Sequence, residues 1–453
     1  MAKATPSSSA QDPSAPKQAS SPRPSDPPRA RPAFPLGSVL VALVAVAVAA
    51  LAVLKPAEFE TAVQVAKTRA LLLVDQFQSQ NGGEAPVREA VDCTQAELYL
   101  TDVLPVKGFH VLCLKQTAAD ALQITAFKDG NAPSLRAEST MALPSLKQQL
   151  EALLEIPKPQ DELARKYKQP YAFFTPDGTR LERLSELTNR VVFLFEGGQF
   201  IWPGIHIGHK SACSMLQLSQ IECQTVVKDV FGKGDVVLET LSMIPLVFGV
   251  EEFLKDDEID VIMDLSLEHL APSGVTLLDG HENRPATDWR TSTTYFLSSE
   301  KHEKIREIDQ RVADLTKVPV SHQEDVQVLR YEKTQKYDHH TDYFPVEHHK
   351  NSQRVLDMIE HGYKNRMITV FWYMSDVAKG GHTIFPRAGG APRPSTMKDC
   401  TKGLKVPPKK RNVVVFYSML PTGEGDLMSL HGGCPVEEGV KYSGNKWIWN
   451  KAR

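Results

Sequence analysis

The sequence predicts an α+β protein whose C-terminal half is a sheet sandwich or barrel buttressed by helices. Three observations carry this. Two helix-like patterns open the last two hundred residues, short runs rich in β-branched and aromatic residues follow them, and Gly and Pro clusters separate those runs. Ahead of this domain the sequence predicts a single transmembrane helix and a mixed, mainly helical region. The expected divisions are a Pro/Ser-rich tail (1–32), a membrane signal anchor (33–54), a lumenal region of unassigned role (55–237) and the sheet domain (238–453).

With 453 residues, 42% of them hydrophobic and 24% charged, the chain can bury at least one sizeable core, which excludes a disordered protein, a collagen or a disulfide-dense miniprotein. Lys and Arg together number 52 against 55 Asp and Glu, so no global positive field draws the chain onto a phosphate backbone. Nucleic acid is not an expected partner.

Residues 1–32 hold eight prolines and seven serines and almost no large apolar side chains, too little apolar surface to offset the entropy of ordering. From Ala33 to Leu54 run 22 residues without a charge. As a helix that length crosses a hydrocarbon core of roughly 30 Å. The tail ahead of it is long for the charged region of a cleaved signal peptide, which favours an uncleaved anchor, although AVAALAV offers a peptidase small residues. Lys3, Lys17, Arg23, Arg29 and Arg31 precede the span, so the N-terminus is expected in the cytosol and everything after residue 55 in the lumen of the endoplasmic reticulum or Golgi, as a single-pass type II protein. All six cysteines fall on that side, where an oxidising compartment permits disulfides; Cys93 with Cys113 and Cys213 with Cys223 are candidate local pairs. The C-terminal NKAR is no KDEL-type retrieval signal, which leaves retention to the anchor.

Between residues 56 and about 235, AEFETAVQVAKTRALLLVDQFQSQ and SLKQQLEALLEIPKPQDELARKY read as helices, followed by the apolar stretch RVVFLFEGGQFIWPGIHIGHK. His206 and His209 in that stretch are read as structural histidines, and no activity is assigned to the region.

The domain from about residue 240 begins with IPLVFGVEEFL as a strand. A helix follows in KDDEIDVIMDLSLEHL, where Asp256 and Asp257 can cap it and Pro-Ser-Gly can end it. SEKHEKIREIDQRVADLTK gives a second helix. DVQVLRYE, RMITVFWYMSD, RNVVVFYS and KWIWN are the strands.

Within YEKTQKYDHHTDYF, His340 and Asp342 stand two apart, so an extended chain points both to one side, where they can grip one ion. With 14 histidines and 55 acids, about two His-x-Asp/Glu matches arise by chance, and the other one, His322 with Glu324, lies in a polar stretch without a later partner. The His340 pair has His431, in SLHGGCP, as a candidate third ligand. Two imidazoles and a carboxylate leave coordination positions open, the set that non-haem ferrous oxygenases use, and the absence of thiolates argues against structural zinc. Lys441 stands ten residues beyond His431, an even separation that could return it to the same face, where an ammonium can pair with the far carboxylate of a dicarboxylic cosubstrate such as 2-oxoglutarate.

The segments WRTSTTYF, VLRYEKTQKYDHHTDYF, RMITVFWYMSDVAKGGHTIFP and SLHGGCPVEEGVKYSGNKWIWN, in this order, resemble the catalytic domain of prolyl 4-hydroxylases, the membrane-anchored plant and algal type especially. The resemblance covers about residues 240–453 and implies a double-stranded β-helix, or jelly-roll, core. It also implies Fe(II), 2-oxoglutarate, dioxygen and L-ascorbate, and hydroxylation of a proline-rich peptide at proline C4. By the same resemblance His340, Asp342 and His431 are the metal ligands, Lys441 holds the oxoglutarate C5 carboxylate, and Tyr331 and Thr383 support it. Tyr337 and Arg366, with Arg290 and Trp447, correspond to positions associated with the catalytic site and the peptide groove. Cys400 and Cys434 correspond to a disulfide pair. His382 departs from the family, which usually has an acid there, and Pro345–Asn365 forms a long loop, read as a surface insertion in preference to a lid. The basic cluster Lys409, Lys410 and Arg411 is read as a solvated turn. Two other functions stay open: another oxoglutarate oxygenase, acting for example on peptidyl lysine, and a non-catalytic membrane-tethered binding protein.

Overall fold

The structure, a computed structural model, describes residues 107–127, 134–204, 225–276, 278–280 and 284–453. The expected tail, the span 33–54, the first predicted helix after it, His206 and His209, and Cys93, Cys213 and Cys223 lie outside the described residues. No helix among the described residues is long and apolar enough to cross a membrane. The chain divides into two compact units, Met1–Val87 and Arg88–Arg453, and every described residue belongs to the second.

Residues 107–204 fold around a sheet. Among the described residues it has six antiparallel strands, β1 (Phe109–Ala118), β2 (Ala121–Phe127), β3 (Ser134–Glu138), β4 (Ala172–Phe174), β5 (Arg180–Leu181) and β6 (Arg190–Phe195), in the order β3-β2-β1-β6-β4-β5. Helices α1 (Leu143–Leu153), α2 (Glu162–Tyr167) and α3 (Leu184–Leu187) accompany it. The second helical pattern read from the sequence, SLKQQLEALLEIPKPQDELARKY, is present as α1 and α2, but across residues 107–204 the expectation of a mainly helical region is corrected to a sheet. The reason lies in burial on both faces: Leu112 and Leu114 of β1 pack under Leu146 and Leu150 of α1, while Val111 and Cys113 pack on the other side against the larger domain. A strand buried on both faces reads as a continuous apolar run without alternation, which periodicity cannot tell from a helix. Cys113 is disulfide-bonded.

The larger domain follows as β7 (Thr225–Val230), β8 (Gly234–Met243), β9 (Leu246–Val250), α4 (Asp256–Asp264), β10 (Ala271–Pro272), β11 (Thr293–Leu297), α5 (Glu303–Thr316) and β12 (Val326–Tyr331). It continues through β13 (Tyr337–His340), α6 (Gln353–Met358), β14 (Arg366–Tyr373), β15 (Lys379–Gly380), β16 (Thr383–Phe385) and β17 (Leu404–Val406). Last come β18 (Val413–Tyr417), β19 (His431–Gly433), β20 (Val436–Glu438) and β21 (Lys441–Trp449). Among the described residues the strands form a nine-stranded antiparallel sheet in the order β10-β11-β12-β21-β14-β18-β9-β8-β7, a four-stranded sheet β13-β19-β16-β17 and the pair β15-β20. The large sheet thus takes its first strands from before residue 238, the expected boundary.

Alternation along the large sheet divides two cores. Ile368, Val370 and Trp372 of β14, with Val413, Val415 and Tyr417 of β18, face the side where Ile259 and Ile262 of α4 and Ile305, Ile308 and Val312 of α5 pack. Tyr373 of β14, with Val414 and Phe416 of β18, faces Phe385 of the small sheet. Gly444 stands opposite Trp372 in register, and a Cβ there would lie 1.9 Å from the indole Nε1, so only glycine lets the indole lie flat across β21. This is the sheet-on-sheet sandwich with helices on one outer face that the sequence predicts.

One local expectation is corrected. Helix α4 is capped not by Asp256 or Asp257 but by Glu258, which accepts from Lys255 N at 2.8 Å; the two aspartates sit in the first turn, and the helix ends at Asp264, well before Pro-Ser-Gly. The basic cluster lies in a solvent-exposed turn, where Lys409 pairs with Glu251, Lys410 with Asp256 and Arg411 with Glu252.

Candidate active site

Strands β13 and β19 pair antiparallel with His340 opposite His431. Asp342 follows two residues after His340. Its Oδ1 lies 3.7 Å from His340 Nε2, and its Oδ2 lies 3.6 Å from His431 Nε2. The three side chains offer one ligand atom each, all within 4.8 Å of one another, a spacing that fits a single ion held by two imidazoles and a carboxylate. The orienting bonds are in place. His340 Nδ1 meets Asp338 O at 2.8 Å, His431 Nδ1 meets Ser429 O at 2.9 Å, and Thr369 Oγ1 donates to Asp342 Oδ2 at 2.6 Å. Burial, with His431 beside it, drives His340 down to about 3, so it stays neutral. For Asp342 burial alone would raise the carboxyl, but His431, His340 and Arg366 outweigh it and hold the group below the usual carboxylate range.

Lys441 stands on the large sheet. It does not share a face with His431 through a simple turn, as its even separation suggested: the chain crosses from β19 to the large sheet, and Lys441 opens β21 there. Its side chain is buried, Nζ donates to Gly381 O at 2.8 Å and lies 5.2–5.6 Å from the ring centroids of Phe371, Tyr373 and Tyr331. No carboxylate among the described residues pairs with it, and burial lowers it to about 7. A buried ammonium in an aromatic box without an anion is costly unless a ligand brings one. Thr383, on β16 two residues beyond Gly381, accepts from Tyr373 Oη at 2.8 Å.

The remaining predicted residues form one wall. Tyr337 stacks on His340 with centroids 3.6 Å apart, and the Arg290 guanidinium lies 4.5 Å over the Tyr337 ring. Arg290 also donates to Ser292 Oγ at 2.9 Å. Burial pushes the Tyr337 phenol up to about 12. Arg366 lies 3.5 Å over Trp447 and grips Glu324 with two bonds, at 2.7 and 3.0 Å. Glu324, which belonged to the chance His-x-Glu match, is therefore the anchor of Arg366, and Trp449 Nε1 donates to it as well at 2.6 Å.

Sequence reasoning missed Thr369, Tyr373 and Phe296. Thr369 and Tyr373 stand four apart on the site face of β14, and a lone threonine in the apolar run MITVFW was the available signal. Phe296 is 48% exposed, with its ring 6.5 Å from Trp447.

Cys400 and Cys434 are joined by a disulfide. It ties the segment after β16 to the residue just beyond β19. The loop Pro345–Asn365 lies at the surface, with α6 within it burying none of its residues, and is anchored where His349, Ile359 and Asn365 are buried. His382, half-buried, is held through its carbonyl by Cys434 N at 2.9 Å.

Residues 326–449 match the family model of the 2OG-Fe(II) oxygenase superfamily. Probable prolyl 4-hydroxylase 10 of Arabidopsis thaliana is 37% identical over 265 residues, 57% of this chain and 87% of that protein. Prolyl 4-hydroxylase 2 of the same plant is 39% identical over 218 residues, 47% of this chain and 69% of that protein. The solved structure of viral collagen prolyl hydroxylase vCPH from Paramecium Bursaria Chlorella virus-1, in its 2OG complex, is 24% identical with a TM-score of 0.31, covering 45% of this chain and 95% of that one.

Proposed function

Because the chain belongs to the prolyl 4-hydroxylase family of 2-oxoglutarate- and iron(II)-dependent oxygenases, we infer that it hydroxylates peptidyl proline at C4, consuming 2-oxoglutarate and dioxygen and releasing succinate and carbon dioxide. One observation carries the reading beyond family membership: a three-ligand cluster and a buried, anion-less lysine adjoin one cluster of side chains, in which Tyr331 and Phe371 beside Lys441 pack with Tyr337, the ring stacked on His340. A structural metal or an idle jelly roll has no use for such a lysine.

His340, Asp342 and His431 would hold Fe(II), which with 2-oxoglutarate and dioxygen supplies the oxidation that converts C4–H to C4–OH. The chain's own residues do the positioning. Asp338 O and Ser429 O keep the protons of His340 and His431 on Nδ1, leaving Nε2 free to ligate, and Thr369 fixes one oxygen of Asp342. Lys441 takes the distal carboxylate, with Thr383 and Tyr331 around it. Trp447 under Arg366, Phe296 beside it, and Tyr337 under Arg290 offer the flat apolar and guanidinium surfaces on which an extended proline-rich segment lies. L-ascorbate is assigned as the reductant that keeps the iron ferrous.

For location, the reading is a single-pass type II membrane protein of the endoplasmic reticulum or Golgi, anchored by residues 33–54 with the catalytic domain lumenal. The uncharged run, the basic residues before it and a disulfide in the catalytic domain support it. The activity is tested by succinate release from 2-oxoglutarate with Fe(II) and ascorbate, with and without a proline-rich peptide. Peptide-stimulated release by the wild type, absent in His340→Ala, is expected; release indifferent to every proline peptide would reject the substrate class.

A further inference from the structure

The domain of residues 107–204 meets the oxygenase domain along a seam of backbone against backbone. Gly197 N donates to Pro421 O at 2.7 Å. A Cβ on Gly197 would lie 2.6 Å from Gly423 N and 2.8 Å from its Cα, and one on Gly108 would lie 2.6 Å from Thr422 N. Two segments this close cannot slide without breaking contact, so the turn at 420–425 is held by the domain of residues 107–204 as well as by its own strands.

That turn adjoins the segments that hold two of the three ligands. Gly425 seats the ring of Tyr343, the neighbour of Asp342, so closely that a Cβ would lie 2.3 Å from it. Just after the turn, Asp426 caps the short helical turn whose Ser429 carbonyl orients His431. A second route reaches the same place. Gln169 and Gln199 donate to Asn450 O at 2.9 and 2.8 Å. Asn450 accepts from Asn365 N at 2.9 Å, and Asn365 exchanges two bonds with Phe344, at 2.9 and 3.0 Å. Phe344 stands two residues beyond Asp342. Both routes therefore end on the segment Asp342–Phe344, and one continues to His431.

We infer that the domain of residues 107–204 is a positioning element of the metal centre, acting on Asp342 and His431 through Gly197 and through Gln169 and Gln199. This role presupposes that the three ligands bind iron, as assigned above. Gly197 has no left-handed backbone angle, so Gly197→Ala adds a methyl group to the seam without straining its own residue.

The test is an anaerobic titration of the full chain with Fe(II), alongside the Fe(II) dependence of peptide-stimulated turnover and a thermal melt. Gly197→Ala and the double variant Gln169→Ala/Gln199→Ala are compared with Leu146→Ala, which opens a cavity on the far face of the same domain. The two seam variants are expected to weaken Fe(II) binding by about tenfold, the scale of a lost outer-shell partner, with kcat at saturating iron close to the wild type. Leu146→Ala is expected to lower the melting temperature while leaving Fe(II) affinity within about twofold, since its contacts reach neither route. Seam variants that fold and bind iron as the wild type does would overturn the role, as would a Leu146→Ala loss equal to theirs. Should Gly197→Ala not fold, the glutamine pair decides by the same criteria. A wild type that takes up no Fe(II) would instead overturn the metal assignment itself.

Discussion

His340 and His431 face one another across an antiparallel pair, and each turns its Nδ1 onto the carbonyl two residues before it, Asp338 O and Ser429 O. A carbonyl only accepts, so each ring donates from Nδ1 and keeps the Nε2 lone pair for a ligand. The backbone sets both tautomers before any ion arrives. Replacing either histidine with Ala is therefore expected to abolish Fe(II) uptake and turnover while leaving the melting temperature of the metal-free protein within a few degrees of the wild type. A metal titration and a thermal melt check this, and turnover at the wild-type rate would refute the ligand set.

Lys441 makes a different demand. In the cosubstrate-free protein burial holds it at about 7, against 10.5 for an ordinary lysine. Between those values the unfolded chain binds more protons than the folded one, so stability rises with pH across that window. Oxoglutarate brings a carboxylate that favours the ammonium, so its affinity is full below about pH 7 and falls as pH rises above it. Lys441→Met is expected to flatten both dependences, and Lys441→Ala to raise the oxoglutarate KM roughly 10- to 100-fold, the worth of a hydrogen bond to a charged group. An oxoglutarate KM unchanged in Lys441→Ala would reject its role.

Arg366 should report on peptide rather than cosubstrate. Its two bonds to Glu324 and its stacking on Trp447 need a planar guanidinium, which lysine lacks. Arg366→Lys is expected to raise the peptide KM by about tenfold and leave the oxoglutarate KM unchanged. Steady-state kinetics with each substrate varied in turn separate the two.

The Cys400–Cys434 bond closes a segment of 34 residues that runs to the doorstep of His431. In the chain-entropy account a loop of that length contributes about 4 kcal/mol. Cys400→Ser with Cys434→Ser, or reduction by dithiothreitol, is expected to lower the melting temperature by several degrees and to slow peptide turnover, both read in the same samples. An unchanged melt would show the loop to be held by other contacts.

What could be read in the sequence follows physical lines. The His340–Asp342 pair was legible because a two-residue spacing has one meaning in an extended chain, and the strand runs in 326–331, 366–373 and 413–417 because β-branched and aromatic residues cluster between Gly and Pro. Thr369 and Tyr373 were not, since a strand buried on both faces hides which of its residues turn toward a site. The sheet of residues 107–204 was hidden for the same reason. The part of Glu324 could be seen only once β14 brought Arg366 beside it. Lys441 was found, but from the wrong geometry: parity along the chain says nothing when the chain changes sheets between the two residues.

The most direct test of the central claim is to incubate the 453-residue chain with Fe(II), 2-oxoglutarate, ascorbate and a proline-rich peptide, then to identify the modified residue by mass spectrometry and amino-acid analysis. The account predicts 4-hydroxyproline in the peptide, formed with succinate and absent with His431→Ala. Oxygen found on lysine or another residue, or a peptide left unmodified by a protein that binds both iron and oxoglutarate, would contradict it.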